Sequence, residues 1–183
     1  MRKTDRRTLY TEQAIKDALL QCCKSTSYRD VTITDVCRTA EINRGTFYRH
    51  YRNLPEVLDE ILDDVTDQLA DLDEQWEGAK ATESCGIPLC QFIRQETKYR
   101  PLFLDEALCP ALLRELEKTF PRNAEHLAGS SLSEEEMAAL NCFQLNGCLS
   151  VVRSSLHQSD PAWNRTKCVL DQFIQNGYES FQR

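Results

Sequence analysis

The sequence predicts an all-α protein on three observations. Apolar residues recur at helical spacing along nearly the whole chain. Only 6 of 183 residues are Gly and 6 are Pro, too little punctuation for a succession of strands and tight turns. No stretch alternates apolar and polar residues over the length of a strand.

The elements follow in order. Ala14, Ile15, Ala18, Leu19 and Cys22 share one face of a first helix, expected from Thr11, read as its N-cap, to Cys23. Ser25-Thr26-Ser27 ends it. Thr32-x-x-Asp35 is a capping box with Asp in the usual Glu position, opening a short second helix with Ile33, Val36, Cys37 and Ala40 inward. After Glu41-Ile42, Asn43 reads as the N-cap of a third helix, Arg44 to about Tyr51, with Phe47 and Tyr51 inward. Asn53 caps a long fourth helix with Pro55 in its first turn. Leu58, Leu62, Val65, Leu69, Leu72 and Trp76 form its apolar seam, and Pro55 to Glu77 spans about 35 Å at 1.5 Å per residue.

Gly78 to Gly86 interrupts the pattern. Pro88 opens a helix with Leu89, Phe92 and Ile93, expected to end at Pro101. Pro110 opens the next, with Leu112, Leu113, Leu116 and Phe120, and residues 122–132 read as a loop. Ser133-x-x-Glu136 is a full capping box, with Leu132 and Met137 as a staple. The helix it starts carries Leu140, Phe143, Leu145, Cys148, Leu149, Val151 and Val152 around much of its girth, and so is expected to be buried on several sides. Asp160-Pro161 opens a last helix, where Trp163, Thr166, Leu170, Phe173 and Gly177 form a stripe.

Charge divides the chain. Residues 1–53 carry 11 Lys/Arg against 6 Asp/Glu, a net of +5, whereas residues 54–183 carry 11 against 23, a net of −12. A basic head on an acidic body suits a protein whose head alone meets phosphates, because the field is screened over about 8–10 Å. A solvated acidic surface on any enzyme has the same charge from residue 54 onward. The nine cysteines include no C-x-x-C pair, and an odd number argues against a disulfide framework. They read as small apolar helix residues, with a redox or metal sensor as the rival reading. No apolar run is long enough for a membrane span, and Met1 to Arg7 leads into no signal-peptide apolar region, so a cytoplasmic protein is expected.

Three short helices, the second and third joined by about four residues, describe a helix-turn-helix. The third is then the recognition helix, with Arg44, Thr46, Tyr48, Arg49 and His50 outward. All of these donate hydrogen bonds and none is acidic, as contact with phosphates and base edges requires. Gly45 leaves room for a close approach of backbone to DNA. Arg2, Lys3, Arg6 and Arg7 add positive charge at the N-terminus.

The run Asn43-Arg44-Gly45-Thr46-Phe47-Tyr48-Arg49-His50-Tyr51, with Val31 to Ala40 before it, resembles the DNA-binding domain of the tetracycline-repressor (TetR) family. The resemblance covers about residues 8–62. It implies that Thr34, Asn43, Arg44, Gly45, Thr46, Tyr48 and His50 contact double-stranded operator DNA. Two positions depart from the family pattern. Glu41 stands where the turn usually has Gly, so either a non-Gly residue adopts the left-handed conformation, at about 1 kcal/mol, or the turn differs. Leu54 replaces a phosphate-binding Lys, a role open to Arg49 or Arg52.

In the C-terminal half, Phe92-Ile93 followed by Tyr99-Arg100-Pro101-Leu102-Phe103 resembles the C-terminal domain common in Firmicutes members of that family. The resemblance implies an effector-binding and dimerising body over residues 54–183, behind a DNA-binding domain over residues 1–53. The last two helices are expected to pair with their twins in a homodimer, or to pack their stripe within the subunit. Trp76, Phe92, Phe103, Leu112 and Phe143 are the candidate lining of a small-molecule effector pocket, or simply core. The function implied is a repressor released from its operator by an effector, the alternative being a coactivator controlled by a protein partner. No cofactor, metal or catalytic site is expected: the sequence contains no P-loop, G-x-S-x-G, H-E-x-x-H or dinucleotide signature, and His126 and His157 have no evident triad partners.

Overall fold

Local chemistry sets the helix boundaries of the computed structural model, which describes residues 6–77, 89–119 and 132–181. The helices are α1 (Arg6–Cys22), α2 (Ile33–Thr39), α3 (Arg44–His50), α4 (Leu54–Glu77), α5 (Leu89–Gln95), α6 (Arg100–Leu104), α7 (Cys109–Thr119), α8 (Glu134–Ser155) and α9 (Asp160–Phe181), with a 3-10 turn at Tyr28–Asp30. No strand occurs among the described residues. The all-α expectation holds.

Both capping boxes form. The Thr32 side chain accepts the Asp35 N–H while the Asp35 carboxylate accepts the Thr32 N–H, and Ser133 and Glu136 repeat the exchange at α8. Asn53 Oδ1 accepts the Glu56 N–H at 2.9 Å and so caps α4. Two expected boundaries differ. α1 starts at Arg6, and Thr11 lies inside it with its hydroxyl donating to the Arg7 carbonyl at 2.9 Å, not at its N-cap. Pro101 does not end the fifth helix: α5 stops at Gln95, and Pro101 lies in the first turn of α6, where a missing N–H costs nothing. The Gly78–Gly86 break, and residues 122–131 of the loop expected over residues 122–132, lie outside the described residues.

The chain divides into two compact units, Met1–Val65 with Glu96–Leu112, and Thr66–Gln95 with Leu113–Arg183. In the first, Ile15 and Leu19 of α1, Val36 of α2, Phe47 and Tyr51 of the α3 region, Val57, Ile61 and Val65 of α4, and Leu102 and Phe103 of α6 are all at most 2% exposed. Each such side chain contributes about 1.5–3 kcal/mol by leaving water. Polar ties complete this unit. Lys16 meets Asp64 at 2.6 Å, the Tyr51 hydroxyl donates to Glu60 at 2.7 Å, and Lys98 meets Asp17 at 3.5 Å. Asp105, just past α6, accepts the Tyr28 N–H at 2.9 Å and the Ala107 N–H at 2.7 Å. Burial opposes ionisation of Asp105, but these N–H donors and the Ser27 hydroxyl outweigh it and hold the carboxyl below its ordinary range. Burial, and then the Asp105 charge, push the neighbouring Cys23 thiol up to about 12, the condition of an unreactive structural cysteine.

The second unit is built on α5, α8 and α9, with Leu89, Phe92, Ile93, Leu145, Leu149, Val152 and Trp163 buried. Arg94 joins the α8–α9 corner. Its guanidinium donates to the carbonyls of Ser155 (2.9 Å) and Gln158 (3.2 Å) and to Asp160 (3.1 Å), and lies 5.0 Å from the Trp163 ring centre. A cation at the carbonyl end of α8 meets the negative end of its dipole.

α8 is not buried on several sides as its composition suggested. Leu145, Leu149 and Val152 enter the core, but Phe143 is 68% exposed. On α9, Trp163 is buried while Val169 and Phe173 are each 67% exposed. The two outward faces form an apolar groove lined by Leu140, Phe143, Gly147, Val151, Leu170, Phe173 and Gly177, with about 290 Å³ of space. The Tyr178 hydroxyl donates to the Gln144 side chain at its edge.

Candidate nucleic-acid interface

Seven residues make a helix too short to stand alone in water, so α3 depends on its ends and its inner face. At its start, Asn43 Oδ1 accepts the Thr46 N–H at 2.8 Å and the Thr46 hydroxyl at 3.2 Å. Inward, Phe47 is fully buried, with its ring edge-on to Tyr48 at 5.6 Å and tilted against Tyr51 at 6.1 Å. That anchor fixes the rotation of α3 about its axis, and therefore which residues face out.

The turn from α2 passes through Glu41 at φ 54, a left-handed residue where only Gly is unstrained. Of the two sequence alternatives, the left-handed one is realised. The Glu41 and Ile42 N–H groups donate to the Arg38 and Cys37 carbonyls at 3.3 and 3.0 Å, satisfying the end of α2.

The outward residues interlock. Arg44 donates to the Tyr48 hydroxyl at 3.2 Å with its guanidinium 5.9 Å from the ring centre, and Arg49 donates to the Thr46 hydroxyl at 3.1 Å. Tyr48 is half exposed, and Thr34, Asn43, Arg44, Gly45 and Arg49 are exposed. A Cβ on Gly45 would stand 3.2 Å from Asn43 Oδ1, so a side chain there would crowd the cap itself. A polar cleft of about 540 Å³ runs beside this row, lined by Arg7, Thr8 and Thr11 of α1, Glu41 to Asn43, and Thr46, Arg49 and His50. Thr34, Asn43, Arg44, Gly45, Thr46, Tyr48 and Arg49 thus lie along α2–turn–α3, as their spacing required.

His50 lines the cleft as well, but its side chain is only 14% exposed, and its Nδ1 lies 3.1 Å from Glu12 Oε1 on α1. Glu12 was invisible to sequence reasoning, because no spacing rule links residues 38 apart. Leu54, where the resemblance leads one to look for a Lys, is buried, whereas Arg49 and Arg52 are exposed.

The five candidate effector residues are divided between the two units. Phe92 is buried in the second unit, Phe103 and Leu112 in the first, and Phe143 stands exposed on α8. The Trp76 side chain falls outside the described residues. Of the two clefts described above and a third, lined by Cys23 to Ser27 and Thr97 to Glu106, only the α8–α9 groove takes one of the five, Phe143. Among the described residues no three His, Cys, Asp or Glu side chains converge as metal ligands, and no helix is long and apolar enough to cross a membrane.

No family model matches the chain. Over 58 residues, 31% of the chain, it is 38% identical to the HTH-type transcriptional regulator YxbF of Bacillus subtilis. Over 53 residues, 29% of the chain, it is 30% identical to DhaS, the HTH-type activator of the dhaKLM operon of Lactococcus lactis. These matches span only 15% and 28% of the relatives' own lengths. The solved structure of the dihydroxyacetone kinase operon activator DhaS superposes with a TM-score of 0.52 at 17% identity, over 94% of this chain and 96% of that one. The chain therefore has relatives among HTH-type transcriptional regulators and shares the fold of one of them.

Proposed function

We propose that the chain is a DNA-binding transcriptional regulator of the TetR type, non-enzymatic, with residues 1–53 contacting the operator and residues 54–183 dimerising and receiving the signal. The observation that carries this is the exposed row of hydrogen-bonding side chains on α3, capped by Asn43 and rotated outward by buried Phe47. Arg44 and Arg49 suit phosphate oxygens or the guanine edge, Thr34, Asn43, Thr46 and Tyr48 suit phosphates and base edges, and His50 suits base edges. Selecting duplexes from a randomised pool with the full chain tests the assignment. A defined site should emerge, and Arg44→Ala or Tyr48→Ala should weaken binding to it with no change in folding. Log affinity should fall with log salt by about 0.9 per phosphate neutralised, and a flat response excludes operator binding.

The groove on α8 and α9 supports homodimerisation. Phe143 and Phe173 are exposed apolar rings on the same groove, and a Cβ at Gly147 or Gly177 would meet nothing within 4 Å, so both backbones are open to approach. Such a face is covered most simply by the same face of a second copy around a two-fold axis. Two heads so related read a palindrome with half-sites about 34–36 Å apart or a multiple of that. Sedimentation at micromolar concentration should then give about twice the 21.1 kDa chain mass.

For control, the reading is a repressor whose effector favours a state of the body incompatible with operator spacing. Phe92, Phe103 and Leu112 are fully buried, so a ligand reaching them must open the core. Linkage requires operator and effector to weaken each other by the same factor, typically about 5–150-fold. Equal effector affinities with and without operator would dismiss that effector as the signal. The similarity to an operon activator favours a second reading, in which the bound protein raises transcription, whether the signal is a small molecule or a protein partner. A reporter placed beside the selected site separates the two by the sign of its response.

A further inference from the structure

Glu12 lies outside every DNA-contact motif, yet it meets the last residue of the recognition helix. His50 is the final residue of α3, and its ring is mostly buried, with Nδ1 3.1 Å from Glu12 Oε1 across the α1–α3 junction. The same residue lines the polar cleft that holds Arg7, Asn43, Thr46 and Arg49. A carboxylate accepts and does not donate, so the hydrogen in this contact sits on Nδ1. The two imidazole nitrogens are thereby made unequal: Nδ1 is committed to Glu12, and Nε2 is the nitrogen left for anything that enters the cleft.

From this geometry we infer that Glu12 is a positioning residue for DNA binding, holding the His50 ring in one orientation and one Nδ1–H form so that Nε2, an acceptor in that form, is presented to the amino donors on the base edges of the nucleic acid. The inference rests on the reading of α3 as a recognition helix and adds to it a residue from α1. Holding the ring in place before binding spares the entropy of ordering a side chain on the DNA. Glu12 contributes only through His50 on this view, and touches no nucleotide itself.

The test is a double-mutant cycle on affinity for a duplex selected from a randomised pool by the full chain. Glu12→Ala should weaken binding about fivefold to tenfold while His50 is present, and should cost nothing further in a His50→Ala background. Glu12→Gln keeps an acceptor oxygen at the same reach and should stay within about twofold of the parent. Nitrogen-15 NMR of the free protein should show His50 protonated at Nδ1, with Glu12→Ala releasing it to the Nε2–H form. An equal loss in both backgrounds, a Gln variant as weak as Ala, or a His50 tautomer indifferent to residue 12 overturns the positioning role and leaves α3 as the DNA-contacting helix. Failure to select any duplex overturns both.

Discussion

The outward faces of α3 and of the α8–α9 pair are both exposed, yet they handle exposure in opposite ways. On α3 the free side chains are polar and satisfy one another, Arg44 with Tyr48 and Arg49 with Thr46, so the surface is at ease in water and ready to exchange those bonds for others. On α8 and α9 the free side chains include Phe143, Val169 and Phe173, which have nothing to exchange and gain only by being covered. Exposure alone therefore says little about partners. The chemistry of the exposed face decides whether a partner is a polyanion or another apolar surface.

The same ring at the two sites gives the sharpest contrast. Phe47→Ala should cost about 3–5 kcal/mol and melt the head, because it empties a fully buried position on which the orientation of α3 depends. Phe173→Ala should leave subunit folding nearly unchanged and instead raise the dissociation constant of the proposed dimer, with Phe173→Asp raising it further. Urea unfolding read by circular dichroism, beside sedimentation, separates the two. A Phe173→Ala variant that unfolds as easily as Phe47→Ala would make the α9 face core, not interface.

Asp105 offers the next effect. Removing its carboxylate in Asp105→Ala strands the Tyr28 and Ala107 N–H groups, at about 1–3 kcal/mol. The pH dependence has a definite sign. Because the folded carboxyl sits below its ordinary value near 3.8, its contribution is fully present above that value and is lost as pH falls through the lower folded one. Acid unfolding of the parent and of the variant should therefore converge only below about pH 4.

Smaller effects sharpen the account of the turn. Asn43→Ala removes the α3 cap and should cost about 1 kcal/mol, together with operator affinity. Glu41→Gly should act in the other direction, stabilising the head by up to about 1 kcal/mol, since the left-handed residue then carries no Cβ penalty. Thermal melts of both variants settle the two signs. A Glu41→Gly variant less stable than the parent would mean that the flexibility Gly adds to the unfolded chain outweighs the strain it relieves.

What the sequence determined by itself was local. The Thr32–Asp35 and Ser133–Glu136 boxes, the Asn43 and Asn53 caps and the inward Phe47 and Tyr51 all follow from contacts within one helical turn, where spacing fixes geometry. Most of the α3 row was legible for the same reason, since one buried residue on a seven-residue helix fixes the outward ones, but His50, expected outward, is mostly buried against Glu12. Tertiary structure decided the rest. The Glu12–His50 and Tyr28–Asp105 pairs join residues 38 and 77 apart, and no periodicity records which distant faces meet. The placement of Pro101 at the start of α6 was equally hidden, since a proline suits a first helical turn as well as it stops a preceding helix. α8 shows the limit most plainly, because it is apolar on more than one side. Hydrophobicity marks every face that avoids water, but only the packing of Leu145, Leu149 and Val152 into the core leaves Phe143 as the face still to be covered.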